Sequence, residues 1–284
     1  MKLRELEIGS RVQDPLHGLM FLVAAQNHPG YGGTTLLAEK LVELGCLDAA
    51  EPTSQKDPWH QALLYGNNDY GLSNLHRWLN ARGTDWYQPT HSEDAPPRTD
   101  NTRYGEVGYE RRRGFLDWIS PQSREALLEV DIPCLCRTAR RDQGELRTIR
   151  GRVFLPSRTE LGKGDEHGAA EGTIFPLAYD PTSYKTTLTD DMLLKYGRSI
   201  NPARPSAAYD APQIYDPKYG WWYWLRTANM GYDFLTRVAS AYGALSYTYA
   251  NNDSVGIRPV MNLDGEVEVV SNRKFAEIFQ IVDR

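Results

Sequence analysis

His91-Ser92-Glu93 and Pro133-Cys134-Leu135-Cys136 together supply the donor types of a hydrolytic zinc centre: an imidazole, two thiols and a carboxylate able to move a proton. Their spacing works against that chemistry. Paired thiolates on a tetrahedral zinc of this kind sit one helical turn apart, whereas Cys-x-Cys puts its sulfurs on diverging sides of a helix or on one face of a strand. His91 also falls in a stretch bounded by Pro89 and Pro96 rather than at a helix start. Cys134 and Cys136 are therefore expected to be structural, and no metal is expected.

Other reactive residue types are equally scattered. Gly32-Gly33-Thr34-Thr35 and Lys40 lack the Gly-Lys-Ser/Thr ending that lets a loop cradle phosphates, so they read as a turn into a strand. The six histidines are isolated from one another, without the paired spacing of a metal site on a helix. Asp165-Glu166 and Asp190-Asp191 lie in polar surroundings that suggest solvated loops. No Gly-x-Ser-x-Gly elbow is present to support acyl transfer. No catalytic residue is expected, and the chain does not read as an enzyme.

A different signal lies between Trp222-Tyr223-Trp224-Leu225-Arg226 and Gly256-Ile257-Arg258-Pro259-Val260. From Ser240 to Asp253 the intervening segment is dominated by Tyr, Ser, Ala, Asn and Gly. Tyrosine offers a large contact area for two side-chain torsions of entropy, and Ser, Asn and Gly adapt their hydrogen bonds, as in antibody-like contact surfaces. The same segment also fits a β-hairpin whose alternating Leu245, Tyr247 and Tyr249 face a core. Both readings stay open, and each can hold for different residues.

The elements that must position this segment are short. Alternation around Val12, the turn Asp14-Pro15-Leu16-His17-Gly18 and the run Leu19–Ala25 predict a hairpin, and Thr34–Leu37 a third strand. Ser73 caps a helix placing Leu75, Trp78 and Leu79 on one face, and Ser120-Pro121 begins a second. Arg150–Leu155 and Glu266–Val270 are further expected strands. Residues 85–113 and 162–216 lack periodicity and read as long loop insertions, the first on the surface. At 284 residues and 40% hydrophobic composition, the chain reads as one elaborated α+β domain, residues 1–284, whose ligand-binding segment is 221–263.

The net charge of -5, with basic residues dispersed, gives no footprint for a phosphate backbone, so nucleic acid is not an expected partner. No apolar run is long enough to cross a bilayer and the first residues lack a signal-peptide core, so synthesis in the cytoplasm without membrane insertion is expected. Three cysteines do not make a disulfide framework. Seventeen Tyr and seven Trp against seven Phe is an excess of rings that keep a polar edge wet, which suits binding surfaces.

Trp224-Leu225-Arg226-Thr227, Gly243, and Gly256-Ile257-Arg258-Pro259-Val260-Met261-Asn262-Leu263 resemble the C-terminal signature of a family of phage and prophage proteins of gut Firmicutes. Their C-terminal half is related to the formylglycine-generating-enzyme type of C-type-lectin fold. Tyr65-Gly66-Asn67-Asn68, Ser73-Asn74 with Trp78-Leu79-Asn80, Gly114-Phe115-Leu116, and Val153-Phe154-Leu155-Pro156-Ser157 with Glu160 fit in order, so the resemblance spans nearly the whole chain.

The resemblance implies a C-type-lectin-like α+β fold with short twisted antiparallel strands, two helices and long irregular loops. In it Trp222, Trp224, Arg226, Gly243, Gly256 and Arg258 form a fixed frame. Ligand contacts are expected from Asn229, Tyr232, Asp233, Phe234, Tyr242, Ser246, Tyr247, Tyr249, Asn251, Asn252 and Asp253. Similar proteins are diversified by retroelements acting on Asn codons, which cannot yield Lys, Glu, Gln, Met or Trp, and none of these occurs from Gly231 to Val260. The implied function is a virion receptor-binding or adhesin-like protein, the implied partners a host cell-surface protein or glycan and other virion proteins, with a homotrimer by analogy. A structural decoration or baseplate component is the alternative. An oxidase of the formylglycine-generating type is disfavoured because no cysteine follows Cys136. No cofactor is implied, although Asn251-Asn252-Asp253 offers oxygen ligands of the kind calcium takes.

Overall fold

The alternation around Val12 becomes a hairpin in the computed structural model, which describes residues 1–51, 64–90, 94–105, 108–136, 145–184, 186, 221–240, 243–272 and 277–282. Strand β1 (Arg11–Gln13) pairs antiparallel with β2 (Met20–His28), and β2 pairs with β3 (Gly32–Ala38) across a bulge at Val23/Ala25. Asp14 fixes the β1–β2 turn by accepting from Leu16 N at 2.9 Å, the local side-chain turn that aspartate favours. The same carboxylate accepts from Ser120 N at 2.9 Å and Ser123 Oγ at 2.6 Å, tying the hairpin to the second helix.

Two helices occur among the described residues, both where their caps predict. Helix α1 (Asn74–Asn80) begins at Ser73, whose hydroxyl accepts from His76 N, and buries Leu75, Trp78 and Leu79. Helix α2 (Pro121–Ala126) begins at Ser120 with Pro121 in the first turn, where no amide partner is needed.

The remaining strands are β4 (Glu43–Leu44), β5 (Val130–Cys136), β6 (Glu145–Gly151), β7 (Val153–Phe154), β8 (Tyr223–Ala228), β9 (Leu235–Ala239), β10 (Leu245–Tyr249), β11 (Gly256–Ile257), β12 (Val260–Leu263), β13 (Val269–Ser271) and β14 (Ile278–Ile281). They form a seven-stranded sheet in the order β13-β14-β1-β2-β3-β12-β7, a five-stranded sheet in the order β10-β9-β8-β11-β4, and the two-stranded ribbon β5-β6. The architecture is mixed α+β, dominated by antiparallel pairing.

Three expectations change. The strand expected over 150–155 is divided at Arg152, so β6 and β7 serve different sheets, and β6 pairs with β5, a strand the sequence reading did not assign. The strand expected from Glu266 begins at Val269, because 264–267 closes a turn through Val267 N donating to Asp264 O. The 85–113 segment is irregular but not purely a surface loop: Trp86 and Tyr109 are buried, with Trp86 Nε1 donating to Arg112 O at 2.7 Å. Of the second insertion, residues 162–184 and 186 are described; they carry short 3-10 turns at Pro176–Tyr179 and Pro181–Tyr184.

The five-stranded sheet separates two apolar clusters. Trp224 and Val238 are cross-strand partners on its inner face, in the main core with residues from all three sheets and α1. Tyr223, Leu225 and Ala239 point the other way, into a smaller cluster with Leu41, Leu44, Leu161 and Trp221. Strand β8 is buried at all six positions, which accounts for its near-continuous aromatic and aliphatic run.

Of the residues expected to form a frame, Trp224, Arg226, Gly243, Gly256 and Arg258 are buried. Trp224 is fully buried and its Nε1 donates to Gly45 O at 2.7 Å. Trp222 is half-buried against the main core. A Cβ at Gly256 would fall 2.3 Å from Leu41 Cδ1 and 3.0 Å from Trp222 O, so only glycine allows β11 to lie beside β8. Gly243 ends the β9–β10 connection at φ 76°. Arg258, fully buried, donates from Nε to Ala38 O at 2.8 Å and from Nη2 to Ser183 O at 3.0 Å, with its guanidinium over the Tyr223 ring.

Arg226 is the most heavily bonded of these residues. Its Nη1 and Nη2 grip both oxygens of Glu160 at 2.6 and 2.9 Å, and neither side chain reaches solvent. Nε donates to Pro133 O at 2.9 Å, Nη1 to Leu155 O at 2.8 Å, and Nη2 to Glu171 O at 2.8 Å and Tyr31 Oη at 3.1 Å. Tyr31 in turn donates to Glu160. A buried pair is strongly destabilising when only one partner is removed, because an uncompensated charge stays in a low dielectric. Glu160→Gln should therefore cost about 3–5 kcal/mol and lower Tm by on the order of 10 °C. The double variant Arg226→Met/Glu160→Leu should recover much of that loss in thermal melts. A Glu160→Gln protein melting with the wild type would show that the pair does not hold the fold together.

Candidate functional site: an aromatic surface on joined loops

The hairpin of β9 and β10 settles which alternating residues face outward. Val238, Thr236 and Thr248 turn inward and are buried, while Arg237 and Tyr247, directly opposite each other, turn outward with Tyr249 and Leu245. Tyr247 is 52% exposed and Tyr249 half-buried, while Leu245 packs half-buried against the smaller apolar cluster, so the alternation meets a core at Leu245 and reaches solvent at Tyr247. Arg237 lies 5.7 Å from the Tyr247 ring centroid, and its Nε and Nη2 bind Glu166 at 2.8 and 2.6 Å.

Glu166 departs from the expected solvated loop. Its side chain is wholly buried and accepts from Arg158 Nη1 at 2.7 Å and Met230 N at 3.2 Å as well as from Arg237. Burial alone would raise this carboxyl, but the two guanidiniums and the Met230 amide outweigh it and hold the carboxyl below its ordinary range. Asp165 beside it is exposed, as expected; Asp190-Asp191 and His91 lie outside the described residues.

Beyond the end of this hairpin four loops converge. Asn251 N donates to Tyr65 O at 2.8 Å, Arg103 N to Asn251 O at 2.9 Å, Asn68 N to Asp233 O at 3.0 Å, and Ala250 N to Phe234 O at 3.0 Å. Asn68 Nδ2 adds bonds to Leu235 O at 3.0 Å and to Tyr232 O. Gly66 lies at φ 80° with its Cα against the backbone, and a Cβ there would fall 2.3 Å from Asp48 O. Segments distant in sequence are thus joined through their backbones.

On this base stands a cluster of rings. Tyr65 stacks on Tyr249 at 4.5 Å between centroids, Phe234 lies parallel to Tyr249 at 5.7 Å, and Tyr232 meets Phe234 edge to face at 5.9 Å. Tyr232 is 51% exposed and Tyr104, from the neighbouring loop, 52%. The guanidinium of Arg103 sits 4.9 Å from the Tyr249 centroid and 5.6 Å from that of Tyr104. Such ring pairs each contribute about 0.5–1.5 kcal/mol beyond their burial, which orders the surface before any ligand arrives.

The expected contact residues divide accordingly. Tyr232, Asp233, Phe234, Ser246, Tyr247 and Tyr249 are exposed or half-buried and lie on this face or the adjoining hairpin. Asn229, Asn251, Asn252 and Asp253 are buried rather than presented to solvent, and the side chains of Asn252 and Asp253 brace the loops. Asn252 Oδ1 accepts from Ser254 N and Oγ at 3.0 and 2.8 Å, and its Nδ2 donates to Thr248 Oγ1 at 2.9 Å. Asp253 Oδ1 accepts from Tyr104 N at 2.9 Å, and Asn229 N donates to Leu235 O at 2.9 Å. Asn252 Oδ1 and Asp253 Oδ1 are thus engaged in hydrogen bonds within the protein. Tyr242 lies outside the described residues. Tyr65, Arg103 and Tyr104 share this face and were not among the expected contacts. The Tyr65-Gly66-Asn67-Asn68 motif was one available signal, and nothing local marked Arg103-Tyr104.

Cys134 and Cys136 project from β5 into the core and are free, fully buried thiols. The Cys136 sulfur beside it, followed by burial, pushes the Cys134 thiol well up, away from the reactive thiolate. Among the described residues no three His, Cys, Asp or Glu side chains are grouped to hold a metal.

Asp48 supports the aromatic surface from beneath, accepting from Asn67 N and Asn74 N, both at 3.0 Å. Burial pushes its carboxyl up to about 7, against the two amides that favour the anion. The folded chain thus retains a proton that the unfolded chain releases near pH ~4. Its contribution to stability is full below that pH and is lost as the pH rises through about 7. The difference in Tm between wild type and Asp48→Asn should therefore move against the wild type from pH 4.5 to pH 7.5. A difference independent of pH would mean that Asp48 titrates as an ordinary carboxylate.

One family model matches, over residues 32–265, and it describes a domain of unknown function, DUF6273. No curated protein and no solved structure matches the chain. The matched residues run from the start of β3 to just beyond β12 and so include the aromatic surface and the buried arginine frame: the chain belongs to the DUF6273 family.

Proposed function

We propose that this chain is a ligand-binding protein, not an enzyme, whose contact surface is the ring cluster of Tyr65, Tyr104, Tyr232, Phe234 and Tyr249 with Tyr247 on the adjoining hairpin. The observation that carries the reading is the exposure of these rings on loops joined by backbone hydrogen bonds. Large exposed apolar area on a rigid base suits recognition, since little entropy is lost when a partner docks. The mixed sheets, two short helices and long loops also support a C-type-lectin-like architecture.

The resemblance to phage proteins gives the reading its setting: a virion receptor-binding or adhesin-like protein, assembling as a homotrimer with other virion proteins, its partner a host cell-surface molecule. Tyr232, Phe234, Tyr247 and Tyr249 fall in the 231–260 window lacking the five residues that mutated Asn codons exclude, whereas Tyr65, Arg103 and Tyr104 fall outside it. A retroelement would on this reading vary one half of the surface and leave the other constant.

Alanine at Tyr232 or Tyr247 should weaken binding of labelled protein to Firmicute host cells by roughly thirtyfold at a hot spot worth about 2 kcal/mol, with Tm little changed, whereas Tyr249→Ala, which also loses its ring pairs, should lower Tm as well. Trp224→Ala should show the opposite pattern and lose stability by about 3–5 kcal/mol. Destabilisation by the Tyr232 and Tyr247 variants without a selective loss of cell binding would place the binding face elsewhere.

A further inference from the structure

The arginines around the aromatic surface are mostly neutralised. Glu166 holds Arg237 and Arg158, Glu160 holds Arg226, and Asp69 holds Arg147. Arg103 is different: among the described residues its guanidinium makes no ion pair and lies over the rings of Tyr104 and Tyr249. Its backbone amide is fixed to Asn251 O, so the side chain starts from a held position. A half-exposed cation thus stands in the middle of an aromatic face on a chain whose net charge is -5.

A guanidinium is weakly hydrated, stacks on rings and presents a planar fork that matches a carboxylate with two parallel N–H···O bonds. One unneutralised cation suits a single negative charge; a polyphosphate backbone would call for a stripe of them. Around it, the phenols of Tyr65, Tyr104 and Tyr249 offer hydroxyls that both donate and accept, and their rings offer flat apolar area. The complementary molecule has a flat body, part apolar and part hydroxylated, with one carboxylate.

We propose that this surface recognises a carboxylated pyranose of an acidic glycan, the carboxylate on the Arg103 fork and the sugar ring against the exposed ring of Tyr104 beside it. This inference rests on the reading of the ring cluster as the contact surface. Uronic and sialic acid residues share the chemistry and can be told apart by probe.

The full chain would be titrated calorimetrically with trigalacturonate and with sialyllactose, and in parallel with the methyl ester of each acid, which keeps the sugar and removes the charge. Binding of at least one acid is expected, weakened tenfold or more by esterification and equally by Arg103→Gln, whose Tm should stay at the wild-type value. Equal binding of acid and ester, or no binding of either acid, overturns the proposal. So does binding of a poly-glutamate peptide in place of the sugars, which would make the partner an acidic protein. Host-cell binding separates the two levels. Loss in Tyr232→Ala but not in Arg103→Gln keeps the contact surface and removes the anion, whereas no loss in either removes the surface itself.

Discussion

The buried pair of Arg226 and Glu160 is the constraint on which the other elements converge. A charged guanidinium with no solvent must find an acceptor for every N–H, and here the acceptors come from the β2–β3 hairpin, from β5, from the segment after β7 and from Glu160 and Glu171. Both sheets and the small ribbon therefore have to approach one side chain on β8. Burial pushes the Glu171 carboxyl up, against the opposing pull of Arg226.

The aromatic surface inherits that rigidity. Strand β8 is fixed by Arg226 and by Trp224, β9 is paired to β8, and Arg237 on β9 is held by the buried Glu166. The loops at the end of the hairpin are joined by backbone hydrogen bonds, which change of side chain does not remove, together with bonds from the Asn68 and Asp253 side chains. A surface supported this way can differ in its outward side chains while the support stays constant, which is the physical requirement for a diversified binding face. Asn252 and Asp253 mark the limit of that freedom, since the first braces its own turn and the second the neighbouring Tyr104 loop.

Short-range rules were sufficient for the local elements. The Ser73 and Ser120 caps, the turn at Asp14 and the apolar run of β8 each depend on residues a few positions apart, and each element formed where its pattern placed it. The frame was legible for a related reason: Trp, Arg and Gly clustered around β8 and β11 are costly residues to place without a partner or a close approach. The division of residues 150–155 was not legible, because which sheet a short strand joins is decided by distant partners, here β5 and β12.

The sequence by itself determined that a Tyr-rich segment lies between two fixed anchors and that its residue types suit contact with a ligand. It left open which face of the alternation points outward, since a period of two is the same for either face. Only the tertiary structure decided that Tyr247 and Tyr249 turn out while Thr248 turns in, that Asn252 is spent on its own turn and Asp253 on the Tyr104 loop, and that Tyr65, Arg103 and Tyr104 complete the surface. The reason is that a binding face is assembled from loops joined through space: Tyr65 and Tyr249 stack although most of the chain separates them in sequence, and no local pattern encodes such a contact.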